Sequence, residues 1–152
     1  MSVAYDLDFR AHPEAYRVTG DEQGVFKVEP YKSELLPLWQ FKDEAAARTA
    51  ISALEERYTA YREADDFVGM DMVRKYLRMG FTRAMRYAKY PGGTKYHDDG
   101  TERTPQQWAD PDKRAAAVAF REAWEAVRED PAYQRMKTRH ETEVFDTSAS
   151  PM

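Results

Sequence analysis

Apolar residues recur at helical spacing over two long stretches, and this spacing constrains the fold most. In the first stretch, which begins near Asp43, the spacing places the apolar side chains along one side of an α-helix. These residues are Ala47, Ala50, Ile51, Leu54, Tyr58 and Tyr61. A second stretch follows Asp65 and Asp66, runs to about Tyr90 and has a similar stripe. It consists of Val73, Leu77, Phe81, Ala84 and Ala88. The sequence therefore predicts two long helices.

Capping signals predict further helices near the C-terminus. Three sites place a Thr or Asp oxygen directly before a proline, a pattern typical of the first residues of a helix. They are Thr104-Pro105, Asp110-Pro111 and Asp130-Pro131. The helix after Pro111 would place Phe120, Ala123, Trp124 and Val127 on one face, and the shorter helix after Pro131 would carry Tyr133, Met136 and His140.

Near the N-terminus, two short runs contain residues that favour strands. Residues 16–18 and 25–28 flank a polar, turn-rich segment at 19–24, which predicts a small β-hairpin. The expected fold class is mainly α (α+β). It is a compact helical domain of two long and two or three shorter helices, with a small N-terminal β-hairpin. The 152 residues suit a single domain over 1–152, with residues 1–10 and 146–152 expected to be loose termini.

Composition excludes several classes of function. The chain contains no Cys, so disulfides, thiolate metal sites and a cysteine nucleophile are excluded. No apolar run reaches the roughly 20 residues of a membrane span, and residues 1–13 do not resemble a secretory signal. We therefore expect a cytoplasmic protein. No metal-binding spacing and no catalytic set is recognisable, so the sequence predicts neither metal nor cofactor and favours a binding protein over an enzyme.

Basic residues are concentrated in the second helical stretch. Between Arg74 and Lys95 there are seven basic residues and no acidic one, although the whole chain has 23 Lys and Arg against 27 Asp and Glu. The seven are Arg74, Lys75, Arg78, Arg83, Arg86, Lys89 and Lys95. At about 100° per residue, most of them fall on one side of the helix, opposite Leu77 and Ala84. Like charges at this spacing repel one another, so a compensating anion is expected.

Two interpretations of this pattern remain open. In the first, acidic residues elsewhere in the fold neutralise the basic side chains, and the candidates are Glu55, Glu56, Glu63 and Asp71. In the second, the basic side chains bind phosphate groups without reading sequence. Tyrosines lie between them and could stack on bases if they are exposed. These are Tyr76, Tyr87, Tyr90 and Tyr96.

The leading hypothesis is a small binding protein that presents a basic helix face over 74–95 to a polyanion, with nucleic acid as the expected ligand. The formal net charge of -4 argues weakly against a dedicated nucleic-acid binder. One alternative is a protein-protein adaptor or inhibitor with an exposed aromatic patch around Trp39 and Trp108. Another is an enzyme on a small anionic substrate, with a pocket that unites Arg86, Tyr31 and Lys95.

Four stretches of the chain resemble an uncharacterised family of bacterial and phage proteins, classed only as a domain of unknown function. They are residues 29–34 (EPYKSE), 66–72 (DFVGMDM), 79–83 (MGFTR) and 86–88 (RYA). The similarity spans roughly Asp8 to His140. Where the family often has Arg-Arg-Tyr-Ala-Asn, this chain has Met-Arg-Tyr-Ala-Lys at 85–89, which moves one basic residue along the helix. The resemblance implies a stand-alone intracellular protein and implies no activity.

Overall fold

The chain is mainly helical, as the sequence predicted. A computed structural model describes residues 6–90, 96–102, 104 and 110–149, with side chains as far as residue 143. Within these residues it contains five α-helices and two single turns of 3-10 helix. The α-helices are α1 (Tyr31–Leu35), α2 (Glu44–Glu63), α3 (Phe67–Lys89), α4 (Pro111–Glu129) and α5 (Pro131–Ala149). The 3-10 turns are Pro13–Ala15 and Leu36–Leu38.

Aspartate side chains fix where the four long helices begin. Each carboxylate accepts a hydrogen bond from a backbone N–H in the first turn, at 2.7 to 3.1 Å, and so satisfies a donor that the helix itself leaves unpaired. The capping residues are Asp43, Asp66, Asp110 and Asp130. The predicted starts near Asp43, Asp110 and Asp130 are confirmed, while the predicted start at Thr104-Pro105 lies partly outside the described residues.

Helices α2, α3 and α4 pack against one another and form most of the core. The predicted stripe of α2 is buried along its whole length. Where α3 meets α4, Gly80 allows the ring of Phe120 to lie against its backbone, and a Cβ atom at this position would come within 2.4 Å of that ring. The glycine in the middle of α3 therefore permits the close approach of two helices, at the expense of helix propensity.

The first half of α3 is surrounded on all sides. Every residue from Phe67 to Leu77 is buried, which is typical of a helix that passes through the centre of a domain rather than along its surface. The covering elements are residues 9–31, α1 and α5. In the second half, by contrast, only the side that faces α2 and α4 is buried.

The predicted β-hairpin is wrong. In residues 6–90, 96–102, 104 and 110–149, the structure has no strand, and its only β-bridges are isolated ones between Asp8 and Glu29 and between Tyr96 and Glu102. Residues 16–28 lack regular structure instead, apart from a turn at 23–27. Their buried side chains, among them Val25 and Val28, pack on α3, while several of their carbonyl groups accept hydrogen bonds from α3 side chains. These bonds replace the ladder that a hairpin would need.

Both segments that the sequence analysis expected to be loose lie partly within the described residues. In the segment at 1–10, the side chain of Phe9 is only 1% exposed, and Arg10 lies 2.8 Å from a carboxylate oxygen of Glu34. At the other end, α5 remains helical to Ala149 and so includes part of the predicted loose tail at 146–152. No described helix is both long enough and apolar enough to cross a membrane.

Candidate functional site

The basic residues of α3 do not form one exposed stripe. Arg74 and Lys75 are buried, with 5% and 2% of their surfaces exposed. The phase argument placed Lys75 opposite the packed face of the helix and Arg74 at the flank of the basic side, but residues 9–31 and α5 cover these positions in the first half of the helix. Helical phase alone does not show whether a second layer covers a face.

Arg74 is neutralised inside the protein by Asp71, one turn earlier on α3. Arg74 Nε donates to Asp71 Oδ1 at 2.6 Å, and the hydroxyl of Tyr133 donates to the same oxygen at 2.6 Å. The Tyr16 hydroxyl donates to Asp71 Oδ2. Burial by itself would raise the pKa of Asp71, but the charge of Arg74 and these hydrogen bonds outweigh it and hold the pKa below its ordinary value.

Lys75 binds the covering segment rather than an acid. Its Nζ donates to the carbonyl oxygen of Gln23 at 2.7 Å and lies 4.9 Å from the centre of the Tyr16 ring. Burial lowers the pKa of Lys75 to about 8, although nearby Asp71 opposes this shift. Arg74 likewise donates to the carbonyl oxygen of Thr19 at 2.6 Å. Both side chains therefore attach residues 9–31 to α3.

Arg78 is the third basic residue held within the fold. Its Nη1 forms an ion pair with Glu22, and 29% of its side chain is exposed. Of the four acids proposed from the sequence as neutralising partners, Asp71 is engaged with α3. The other three, Glu55, Glu56 and Glu63, are exposed on α2 and form no ion pair with a described α3 residue. Glu22 was missed because it lies 56 residues before Arg78.

The second half of α3 keeps its cations at the surface. Arg86 and Lys89 are exposed and Arg83 is half-buried. None of the three forms an ion pair with a residue in the described part of the chain. Spaced three residues apart, they share one side of the helix. We call Arg83, Arg86 and Lys89 the α3 basic face; Lys95, the last residue of the predicted set, lies outside the described residues.

The predicted stacking tyrosines have different environments. Tyr87 is 36% exposed, with its ring 5.7 Å from that of Phe41, and Tyr96 is 52% exposed. Tyr90 is buried, and so is Tyr76, whose hydroxyl donates to the carbonyl oxygen of Val25. Only Tyr87 and Tyr96 therefore offer a surface on which a base could stack.

Tyr31 and Arg86, on which the enzyme hypothesis relied, are not brought together. Tyr31 is fully buried and its hydroxyl donates to Asp66, which caps the start of α3, whereas Arg86 lies near the other end. At 1.5 Å per residue, about 30 Å of helix separates these positions. Trp39 is half-buried, and its Nε1 donates to the carbonyl oxygen of Tyr76 at 3.0 Å. Trp108 lies outside the described residues.

A second cationic region was missed by the sequence analysis. A cleft of about 570 Å³ opens between residues 18–20, α3, α4 and α5, and four basic side chains line it. They are Arg74, Arg78, Arg128 and Lys137. These side chains come from three helices, so no local spacing in the sequence indicates the cleft. Among the described residues there is no cluster of three His, Cys, Asp or Glu side chains that could hold a metal ion.

Comparison with known protein families places the chain in one of them. A family model described as a domain of unknown function, DUF4385, matches residues 2–143. The chain belongs to the DUF4385 family. No match was found among curated proteins or among solved structures. In this DUF4385 chain, residues 66–72, one of the resembling stretches, form the capped and buried start of α3. The description of the family names no activity.

Proposed function

We propose that this DUF4385 protein binds a polyanion, with nucleic acid as the expected ligand, through the α3 basic face. The observation that carries the proposal is the contrast in charge pairing along α3. Arg74 and Arg78 have carboxylate partners, whereas Arg83, Arg86 and Lys89 have none among the described residues. Cations held close together without counter-charges repel one another, and a bound polyanion would relieve that repulsion.

The arrangement suits a flexible, single-stranded ligand. Successive members of the α3 basic face are about 4.5 Å apart along the helix axis, and long side chains extend their reach. A row of cations can follow a phosphate backbone without reading base sequence. Tyr87 lies one residue beyond Arg86 and is partly exposed, so a base could stack on its ring while neighbouring phosphates contact the cations.

The test is a titration of labelled single-stranded DNA and RNA with the protein, followed by fluorescence anisotropy at several salt concentrations. Three phosphate contacts predict a slope of about −2 for log affinity against log salt. Arg86→Glu should weaken binding at least about tenfold for every sequence and make the slope shallower. The matched control is Arg57→Glu, the same charge reversal at an exposed position on α2, and it should change affinity by less than about twofold.

Two results would contradict the proposal. One is an affinity that does not change between low and moderate salt, since phosphate contacts always release counterions. The other is an equal loss of affinity in Arg86→Glu and Arg57→Glu, which would mean that net charge, rather than the α3 basic face, controls binding.

A further inference from the structure

The cleft between α3, α4 and α5 concentrates positive charge in a way that the α3 basic face does not explain. Its cationic side chains come from three helices, and among the described residues the one acidic side chain that lines it is Glu141 of α5. None of the three residues of the α3 basic face lines it. A volume of about 570 Å³ lies within the range of sites that hold small molecules.

Arg74 lines this cleft, and its guanidinium is held in place by partners within the protein. Its Nε and Nη2 are engaged by Asp71 and by the carbonyl oxygen of Thr19. The Tyr133 hydroxyl is a further partner of this guanidinium, but Nη1 has no carboxylate or carbonyl acceptor among the described residues, and the side chain is almost fully buried. A guanidinium held in place by a buried carboxylate loses little conformational entropy when it binds an anion.

The remaining cations approach the cleft from α3, α4 and α5. The guanidinium of Arg128 lies 4.9 Å from the centre of the Trp124 ring and has no carboxylate partner among the described residues. Arg78 lies 5.9 Å from the same ring and uses only Nη1 for its ion pair with Glu22. Lys137 is half-buried and has no hydrogen bond or ion pair with a described residue. Trp124 thus holds two guanidinium groups near one another through its π-face.

We propose that this cleft binds the phosphate group of a small phosphorylated compound. One Arg fork satisfies a planar carboxylate, whereas donors that converge from three helices suit a tetrahedral oxyanion with several acceptor oxygens. The site does not depend on the α3 basic face, and the function proposed above does not depend on the cleft. The two assignments therefore fail or succeed separately.

The experiment is isothermal titration calorimetry of the full chain with inorganic phosphate and pyrophosphate, at constant ionic strength set with sodium chloride. We expect saturable binding at a stoichiometry of one. Arg128→Gln and Lys137→Gln should each weaken it about tenfold, the loss expected for one charge-assisted contact. Both side chains lie at or near the surface, and far-UV circular dichroism checks that the variants fold.

Two controls make the assignment specific. Arg135→Gln removes the same charge from an exposed position on α5 that does not line the cleft, and it should change the affinity less than about twofold. Arg86→Glu should also retain phosphate binding, because it alters only the α3 basic face. Malonate serves as the carboxylate probe and should bind more weakly than phosphate.

Four outcomes would overturn the assignment. The first three are an absence of saturable heat with both phosphate and pyrophosphate, unchanged affinity in Arg128→Gln and Lys137→Gln, and malonate binding as tight as that of phosphate. The fourth is loss of phosphate binding in Arg86→Glu, since the anion would then occupy the α3 basic face.

Discussion

The two halves of α3 carry the same number of basic residues but use them differently. In the first half, from Phe67 to Arg78, the cations bind partners within the protein, which are two carboxylates and two backbone carbonyl groups. In the second half, from Met79 to Lys89, the three cations have no carboxylate partner among the described residues. The same residue types on one helix therefore have internal partners in one half and none among the described residues in the other.

The difference comes from the covering layer. Residues 9–31 lie over the first half and bring Glu22 and several carbonyl groups to its cations, while in the second half Glu22 reaches only Thr82 and none of the three cations has such a partner in the described chain. A buried cation is tolerated only when hydrogen-bond acceptors surround it. The packing of residues 9–31 and the burial of the cations of α3 therefore depend on each other. If this is correct, equal substitutions in the two halves should have unequal effects on stability.

The largest expected effect is that of Asp71→Asn. The amide offers one acceptor oxygen in place of two, and it leaves the guanidinium of Arg74 buried without a counter-charge. The free energy of unfolding should fall by about 3 kcal/mol or more, as is usual when one partner of a buried ion pair is removed. Urea denaturation followed by circular dichroism measures it.

The matched control for this prediction is Asp65→Asn. Asp65 pairs with Arg139 at 2.8 Å, but both side chains are more than half exposed, and Asn tolerates the positive φ of 58° at this position. The same Asp-to-Asn change should therefore lower the free energy of unfolding by less than about 1 kcal/mol. Equal losses in the two variants would show that the buried pair contributes no more than a surface pair.

The next largest expected effect is a dependence of stability on pH that arises from Lys75. Because burial lowers the pKa of Lys75 to about 8 from 10.5, the native state releases this proton at a pH where the unfolded chain still holds it. Stability rises with pH wherever the unfolded state binds more protons. Lys75 should thus add about 2 kcal/mol to the free energy of unfolding between pH 7.5 and 9.5. Urea titrations at each pH measure this gain.

The pH prediction has its own control. Lys75→Met removes the titrating group and keeps a long side chain, so its stability should change little over the same pH range. The buried tyrosines act in the opposite direction only at higher pH. Burial, followed by nearby Asp71, raises the pKa of Tyr133 above 10.0, so the unfolded chain loses that proton first. A rise of equal size in Lys75→Met would assign the pH dependence to other groups.

Much of the fold could be predicted because its signals are local. The α2 stripe and the Asp caps depend on residues within a few turns of one another. The absence of the hairpin could not be predicted, because residues such as Val25 fit a strand by composition but are buried here without forming one. The backbone carbonyl groups of this segment instead accept hydrogen bonds from Lys75 and Tyr76, which lie about 50 residues away in the sequence.

The candidate site was predictable only in part, for the same reason. The concentration of cations over 74–95 is visible in the sequence, but which of them stay exposed depends on distant chain. Glu22 neutralises Arg78 across 56 residues. The cleft joins Arg74 to Lys137, two residues from different helices that no spacing rule connects. Long-range proximity of this kind has no local signal.

A smaller effect is expected at the buried side of the second half of α3. Gly80→Ala gains helix propensity of about 1 kcal/mol but places a Cβ atom 2.4 Å from the Phe120 ring. This overpacking should outweigh the gain in helix propensity, so the free energy of unfolding should fall by about 1 to 2 kcal/mol. Gly20→Ala is the control, because no heavy atom lies within 4 Å of its Cβ position. Thermal unfolding compares the two variants, and a stabilised Gly80→Ala would show that Phe120 moves aside freely.

The smallest effect should come from the α3 basic face itself. Arg86→Gln removes a charge that repels its neighbours three residues away, and it also removes a cation that suits the C-terminal end of the helix dipole. These contributions oppose each other, so stability should change by less than about 0.5 kcal/mol. Arg74→Gln, the same substitution in the first half, leaves Asp71 buried without its counter-charge and should cost several times more. Parallel urea titrations test this contrast. If Arg86→Gln destabilised the protein as much as Arg74→Gln does, the exposed cations would be structural too, and a ligand would no longer be needed to explain them.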